Sequence, residues 1–299
     1  MIKVYISPFH DIYTNIALER YLFEVSQNDL LLFLWSNNPC IVMGRNQNIY
    51  DEVNLKYCQK EGIQIARRYS GGGSVYQDLG NLNYTFIARE DYQIEKLNKI
   101  LVDTFKKLEL EVYFNGRNDL LCQDKKFSGL AYCYDFNHLM YHGTCMIDVD
   151  KDKLTKALIP HDYKLKSHSV SSYKSRVINL KEIKNVSPSD IQEAFIQTLK
   201  ELDEVELVKV ELNDQVKREV EKLSNLDYVY NSSPDYQVEL NLKLNHSNYR
   251  FLITYQEGII KNLEIFTDDL DSSKKEHYIS HLLNKKISLD QVEEYLKTI

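Results

Sequence analysis

Arg67-Arg-Tyr-Ser-Gly-Gly-Gly-Ser-Val-Tyr-Gln-Asp-Leu-Gly-Asn-Leu-Asn83 is the stretch that decides how this chain folds. Three of the ten glycines in the whole chain stand together at Gly71, Gly72 and Gly73, soon after a short apolar run, Ile63 to Ala66, that reads as a strand. Glycine backbones visit positive φ, and their N–H groups can close on a bound anion or carboxylate. Arg67 and Arg68 precede those amides, so positive charge and backbone donors converge where an acidic ligand would lie. The alternative is a flexible surface turn with a solvated arginine pair. Against it, Leu82, Tyr84, Phe86 and Ala88 alternate just downstream, which pins the loop between two strands.

Outward from that loop, composition sets the bounds. A chain of 299 residues with 43% hydrophobic content has ample core for one large domain, or a large one with a smaller companion. Acidic residues outnumber basic ones by 44 to 37, a net charge of -7, so the broad basic surface of a nucleic-acid binder is not expected. Its five cysteines, Cys40, Cys58, Cys122, Cys133 and Cys145, are odd in number and form no C-x-x-C pair. That argues against a disulfide framework or structural zinc site and suits a reducing cytoplasm. No run approaches the length of a membrane span, and residues 1–20 lack the apolar core of an export signal.

Before the loop, Asp11 caps a helix whose Leu18, Leu22 and Val25 fall on one face. Leu30 to Trp35 is apolar on both faces, as a strand inside a sheet is, and Cys40 to Met43 reads as its neighbour. Gly44-Arg-Asn-Gln47 is a polar turn whose arginine is either a ligand contact or solvated, and the sequence alone favours the solvated reading. After the loop, Ile94, Leu97, Leu101, Phe105 and Leu108 trace a helical stripe that packs into the core. Ser187-Pro-Ser-Asp190 starts another helix, with Ile191, Phe195, Leu199 and Leu202 as its buried face. Val216, Val220 and Leu223 mark a further one. The pattern breaks at Tyr228 to Pro234. Two extended segments follow, Tyr236 to Leu244 and Tyr249 to Tyr255, and then helices, the last capped by Ser288 and carrying Val292, Leu296 and Ile299. This reads as a second unit.

Three more blocks carry chemistry. Gly116-Arg-Asn-Asp-Leu120 and Lys125-Lys-Phe-Ser-Gly129 read as a hairpin, whose paired lysines are either solvated or send Lys126 inward. An inward ammonium would stabilise negative charge developing on a phosphate or acyl oxygen, and Asp119 could then hold a divalent metal on that phosphate. In Tyr141-His-Gly-Thr144, His142 follows His138 by four residues with Cys145 beyond. That spacing admits a metal, but a satisfied core or surface pair is the plainer reading, and Thr144 is the better hydroxyl donor to a ligand. Lys166 to Arg176, with five serines, reads as a mobile polar loop unless an anion orders it.

Together and in this order these blocks resemble the lipoate–protein ligase family of the biotin/lipoate ligase superfamily. The resemblance is carried by Arg67 to Tyr76 with Asp78, Gly80 and Asn81; by Gly116 to Leu120 with Lys126 to Gly129; by His142-Gly-Thr144; by Ser175-Arg-Val177 with Asn179-Leu180; and by Phe266 to Leu270. It implies an α+β fold: a mostly antiparallel catalytic domain over 1–232, with helices, and a small α+β C-terminal accessory domain over 233–299 that moves during the cycle. It implies ATP-dependent activation of free lipoate as lipoyl-AMP, with Mg2+, and transfer to a lysine of a lipoyl-carrier domain. Such carriers are the glycine-cleavage H protein and 2-oxoacid dehydrogenase E2 subunits; neither nucleic acid nor membrane is a partner.

By the same resemblance Lys126 is catalytic, and Arg68, Ser70, Gly71, Gly72 and Gly73 bind lipoate. Val75, Tyr76, Asn81, Asn118, Thr144, Ser175 and Arg176 hold the adenylate, Asp119 lies near the phosphates or the metal, and Lys166 to Arg176 is the segment that closes over the adenylate. Two positions depart from the family pattern. Gln77 stands where many relatives carry histidine, and Tyr141-His142 where they often carry a histidine pair. Glutamine donates hydrogen bonds but cannot titrate. Two other readings stay open: an ATP-independent octanoyl or lipoyl transferase working through a thioester on Cys133 or Cys145, and a carrier-binding module without catalysis.

Overall fold

The computed structural model describes every residue except 117, 160–176, 232–234, 245–246, 257, 270–271, 288 and 299. The expected contributions of Arg117, Ser175, Arg176, the 166–176 segment, Leu270, the Ser288 cap and Ile299 therefore lie outside the described residues.

The chain opens with β1 (Ile2–Ile6) and α1 (Ile12–Val25), the latter capped by Asp11, which accepts from Thr14 N. Leu18 and Leu22 are buried, but Val25, on the last turn, is exposed. β2 (Leu30–Trp35) and β3 (Cys40–Met43) are buried throughout. They are not neighbours: β3 lies in a second sheet. The short helices α2 (Ile49–Glu52) and α3 (Leu55–Glu61) are capped by Asn48 and Asn54, and α3 ends on Gly62 in the left-handed region. β4 (Gln64–Arg67), β5 (Val75–Gln77) and β6 (Asn81–Arg89) then flank the triple glycine, and α4 (Ile94–Lys107) buries Leu97, Leu101 and Phe105.

Next come β7 (Val112–Phe114), β8 (Asp119–Cys122), β9 (Lys125–Asp135) and β10 (His138–Met146). Two-residue turns join β8 to β9 and β9 to β10. Their central pairs, Gln123-Asp124 and Phe136-Asn137, all have φ between 48° and 58°, the geometry whose twist matches antiparallel strands. α5 (Lys151–Ala157), α6 (Pro188–Lys200), β11 (Val205–Val208) and α7 (Asp214–Ser224) complete the larger unit. α6 starts as expected, with Ser187 and Asp190 in a reciprocal capping box, but Leu202 lies past its end and is exposed. The expected break near Tyr228 is a short helix, α8 (Leu226–Asn231). Beyond it lie β12 (Tyr236–Leu244), β13 (Ser247–Gln256), a third strand, β14 (Ile259–Thr267), α9 (Ser272–Leu282) and α10 (Leu289–Thr298).

Eight strands form one sheet in the order β11-β1-β2-β6-β10-β9-β8-β7. β11, β1 and β2 run parallel, and every pairing from β2 to β7 is antiparallel, which bears out the mostly antiparallel α+β class. β2 shows why both faces must be covered. Leu30, Leu32 and Leu34 pack with α4 and α6, while Leu31, Phe33 and Trp35 pack with α1 and the second sheet. Each such side chain contributes about 1.5–3 kcal/mol by leaving water. The second sheet, β4-β3-β5, therefore lies on the α1 side, and the cleft between the two sheets is where the glycine loop falls. The strands β12-β13-β14 form a third sheet with its own core, including Phe251, Ile253, Tyr278 and Leu296.

Candidate active site between the two sheets

A bulge decides where Lys126 points. Asp119 pairs with Gly129 and Leu120 with Ser128, but Leu121 pairs with Lys126, so Phe127 is the extra residue in β9. Inserting one residue shifts the two-residue alternation, and bulges re-aim side chains in this way. Phe127 and Leu130 enter the core beneath α4, whereas the Lys126 amine comes to rest against Gly129 on the opposite face. A Cβ on Gly129 would lie 3.2 Å from both Cε and Nζ of Lys126, so the missing side chain is the space the amine occupies.

Around that amine the hairpin assembles its polar groups. Lys126 Nζ pairs with Asp119 Oδ1 at 2.7 Å, and the lysine side chain is 29% exposed. Asn118 donates from Nδ2 to Leu130 O, and Thr144 Oγ1 accepts from Gly129 N at 3.3 Å. From the other sheet, the Cβ position of Gly72 lies 3.8 Å from Ala131 Cβ, two residues along β9 from Gly129. One strand pair of residues spans about 6–7 Å, so the amine and the triple-glycine turn share one cleft.

The two arginines do different work. Arg68 Nη2 donates to Gly71 O at 2.6 Å and Gly73 O at 2.8 Å, and its Nε to Ser70 Oγ at 3.1 Å. Gln47 Nε2 donates to Gly72 O, so the three glycine carbonyls are drawn inward by side chains. Burial pulls the Arg68 pKa down to about 10, which leaves it charged at neutrality. Arg67 does not face the glycines at all. It is 1% exposed, and its guanidinium reaches carbonyl oxygens of Gly44, Arg45, Gln47 and Val229. The expectation that both charges converge on a ligand is corrected to Arg68 alone: Arg67, the last residue of β4, sends its guanidinium to the 44–47 carbonyls, and Arg68, just past the strand, sends its own to the glycines.

Ser70 is held by a relay that residue types alone do not reveal. Its Oγ lies 2.7 Å from His142 Nε2, and His142 Nδ1 lies 2.7 Å from Glu19 Oε1. Burial would raise the Glu19 carboxyl, but the His142 charge and hydrogen bond, with Thr85 and Arg68, outweigh it and hold the pKa below the usual value. Ionised Glu19 accepts from the Nδ1–H of His142, which orients the ring and sets Nε2 within hydrogen-bond distance of Ser70 Oγ. His142 is committed to this relay rather than to a metal with His138. Among the described residues, no three His, Cys, Asp or Glu side chains gather as a metal site.

Val75 and Tyr76 lie in β5 and Asn81 at the start of β6. Tyr76 packs with Ile41, Met43 and Met146 behind the second sheet. Asn81 donates to Asn83, which exchanges two hydrogen bonds with Gln77 at 2.8 and 3.0 Å; Asn37 donates to Gln77 as well. Gln77 therefore sits in a buried ladder of neutral amides, and a glutamine can fill both roles there where a titrating ring would change its donors. The five cysteines are free. Burial raises the Cys145 thiol and pushes Cys133 up to about 12, the opposite of what a thioester nucleophile needs.

The lipoyl protein ligase A/B catalytic domain family matches residues 11–200. Lipoate-protein ligase A of Bdellovibrio bacteriovorus is 30% identical, covering 100% of this chain and 92% of its own. Among solved structures, P. falciparum LipL1 in complex with lipoate superposes with a TM-score of 0.70 at 27% identity, over 100% of this chain and 95% of that one. A lipoate-protein ligase A bound with ATP shares the fold, with a TM-score of 0.61 at 22% identity over 76% of this chain and 94% of that one.

Proposed function

The chain belongs to the lipoyl protein ligase A/B family, and from that premise we propose how its residues do the work of an ATP-dependent lipoate–protein ligase. Free lipoate is activated as lipoyl-AMP and passed to a lysine of a lipoyl-carrier domain. The observation that carries the assignment of roles is the Lys126 amine, turned by the Phe127 bulge onto the face of β9 that meets the triple-glycine turn.

In the first half-reaction a lipoate carboxylate oxygen attacks the α-phosphorus of ATP, and the bond to pyrophosphate breaks. Negative charge grows on the α-phosphate oxygens, and the Lys126 ammonium meets it while holding carboxyl and phosphate together. Asp119 holds that amine in place through the 2.7 Å ion pair. In the second, a carrier lysine attacks the acyl carbon, the bond to AMP breaks, and the same ammonium stabilises the departing phosphate. Arg68, Ser70 and Gly71 to Gly73 shape the lipoyl end; Asn118 and Thr144 face the adenylate, with Val75, Tyr76 and Asn81 supporting it from β5 and β6.

Mg2+ fits only as a companion of the nucleotide. Asp119 is the carboxylate beside Lys126, and this metal is commonly held by one or two carboxylates plus phosphates and water. When bound it would neutralise phosphate charge. The catalytic work is assigned to residues 1–232, with 233–299 as the accessory unit. The acceptors are carriers of the glycine-cleavage H protein or 2-oxoacid dehydrogenase E2 kind, in a cytoplasm that five free thiols suit. Incubating the protein with ATP, Mg2+, lipoate and a panel of carrier domains tests this. One lipoyl mass gain on a carrier, dependent on ATP, is expected; a gain without ATP, or none on any carrier, overturns it.

A further inference from the structure

Arg67 is charged, buried and turned away from the ligand cleft, yet it precedes Arg68 directly. Its Nη1 donates to Gly44 O at 3.2 Å, Arg45 O at 3.1 Å and Gln47 O at 2.7 Å. Those three residues brace the glycine turn from below: Gly44 N donates to Gly73 O, Arg45 N to Ser70 O, and Gln47 Nε2 to Gly72 O. The other arm, Nη2, donates at 2.9 Å to Val229 O in α8, the helix that ends at Asn231 just ahead of β12 at Tyr236. Burial pulls the Arg67 pKa down to about 10, so the fork stays charged near neutrality. A guanidinium is planar and rigid, so carbonyls sharing it move together or lose their partner.

The same turn is tied to the C-terminal unit by a second route. Asn48 caps α2 immediately after Gln47, and α2 carries Tyr50. That ring lies 5.6 Å from Tyr236 and 6.4 Å from Tyr255 in the third sheet, and 6.3 Å from Tyr230 in α8. Its hydroxyl accepts from Leu289 N at the start of α10, and Lys56 of α3 pairs with Glu293.

We propose that Arg67 is a positioning residue that couples the seating of the C-terminal unit to the shape of the lipoate-binding turn. With α8 and the third sheet in place, the fork holds residues 44–47 and through them the glycine carbonyls. With either end released, the turn loosens and lipoate is held less well. Coupling of this kind is reciprocal, so a change at the far end must be felt at the turn. The substrate in this inference rests on the ligase reading; the mechanical link does not.

The test uses full-length Arg67→Gln, Arg67→Lys, Tyr236→Leu and the Arg67→Gln/Tyr236→Leu double variant. Hydrogen exchange of the ligand-free proteins is read at 44–47, 70–73 and 236–244, and lipoate KM and kcat by ATP–pyrophosphate exchange. Each of Arg67→Gln and Tyr236→Leu should speed exchange at both ends and raise lipoate KM by about tenfold, within the usual range of site coupling. The kcat at saturating lipoate should stay within about threefold of wild type, since ground-state holding is what is lost. The double variant should rise no further than the larger single one, and Arg67→Lys should fall between. Tyr236→Leu that loosens 236–244 but leaves 44–47, 70–73 and lipoate KM unchanged overturns the proposal, as do KM effects that multiply. If Arg67→Gln does not fold, Tyr236→Leu and Arg67→Lys carry the decision. Absence of lipoate-dependent exchange in the wild type would sink the ligase reading, while the ligand-free arm still decides the coupling.

Discussion

Lys126→Ala separates chemistry from folding. The Lys126 side chain is 29% exposed and that of Asp119 14%, and partly solvated ion pairs contribute about 0–1 kcal/mol to stability. Melting should therefore move by only a few degrees, roughly 4 °C or less. The rate should fall far more. One preorganised donor to a developing oxyanion is worth about 2.7–4 kcal/mol, or roughly 10²–10³ in rate. Removing the cation also leaves Asp119 negative beside incoming phosphates. Two unit charges about 4 Å apart interact by about 4 kcal/mol at an effective dielectric of about 20. Solvent access reduces that to roughly 1 kcal/mol, about fivefold in rate. ATP–pyrophosphate exchange with lipoate should thus drop about 10³-fold, and transfer from synthetic lipoyl-AMP to an apo carrier should drop as well. Adding Asp119→Asn to the alanine variant should recover no more than that electrostatic part, about fivefold. Exchange within about tenfold of wild type, in a variant that melts normally, would refute the central role of this amine.

Three further outcomes follow from the same geometry. Gly72 has φ +91°, and a Cβ there would lie 2.7 Å from Arg68 Nη2, so Gly72→Ala should cost about 1–3 kcal/mol in thermal melts; an unchanged melting temperature would show the turn to be pliant. Cys133→Ala and Cys145→Ala should retain turnover, because burial raises both thiols; loss of activity in either, with no ATP requirement, would restore the thioester route. Glu19 has its carboxyl held below 4.5 in the fold. A depressed carboxylate contributes stability that is present in full above its unfolded pKa and drains as pH falls through its folded one. The melting temperature of wild type should therefore decline below that unfolded value of 4.5 more steeply than that of Glu19→Gln, and parallel curves would count against the relay.

What was legible in the sequence was periodicity and residue type; what was not was parity. The α4 stripe could be read because one helix face repeats over fourteen residues, and β2 because a run buried on both faces has no polar side. That same lack of a polar side hid the partner of β3. An all-apolar strand carries no period to say which sheet it joins, and β3 pairs with β4 and β5 instead of β2. The candidate site shows the limit more sharply. Arg67 ends β4 and Arg68 is the first residue past it, and of these two identical neighbours only one meets the glycines; nothing in the letters says which. Arg68 took that place and Arg67 the buried brace. At the hairpin the alternation rule itself would have misled. Lys126 and Gly129 are three apart, an odd step that regular pleating sends to opposite faces, and only the extra residue at Phe127 brings them together. The identity of Lys126 could be argued from chemistry and family pattern, but its direction depends on a register shift. Deleting Phe127 would restore the regular pairing and leave the amine two residues from Gly129 on the same face, at the cost of a buried ring, so the bulge is what lets a core phenylalanine and a cleft-facing lysine stand side by side in the chain.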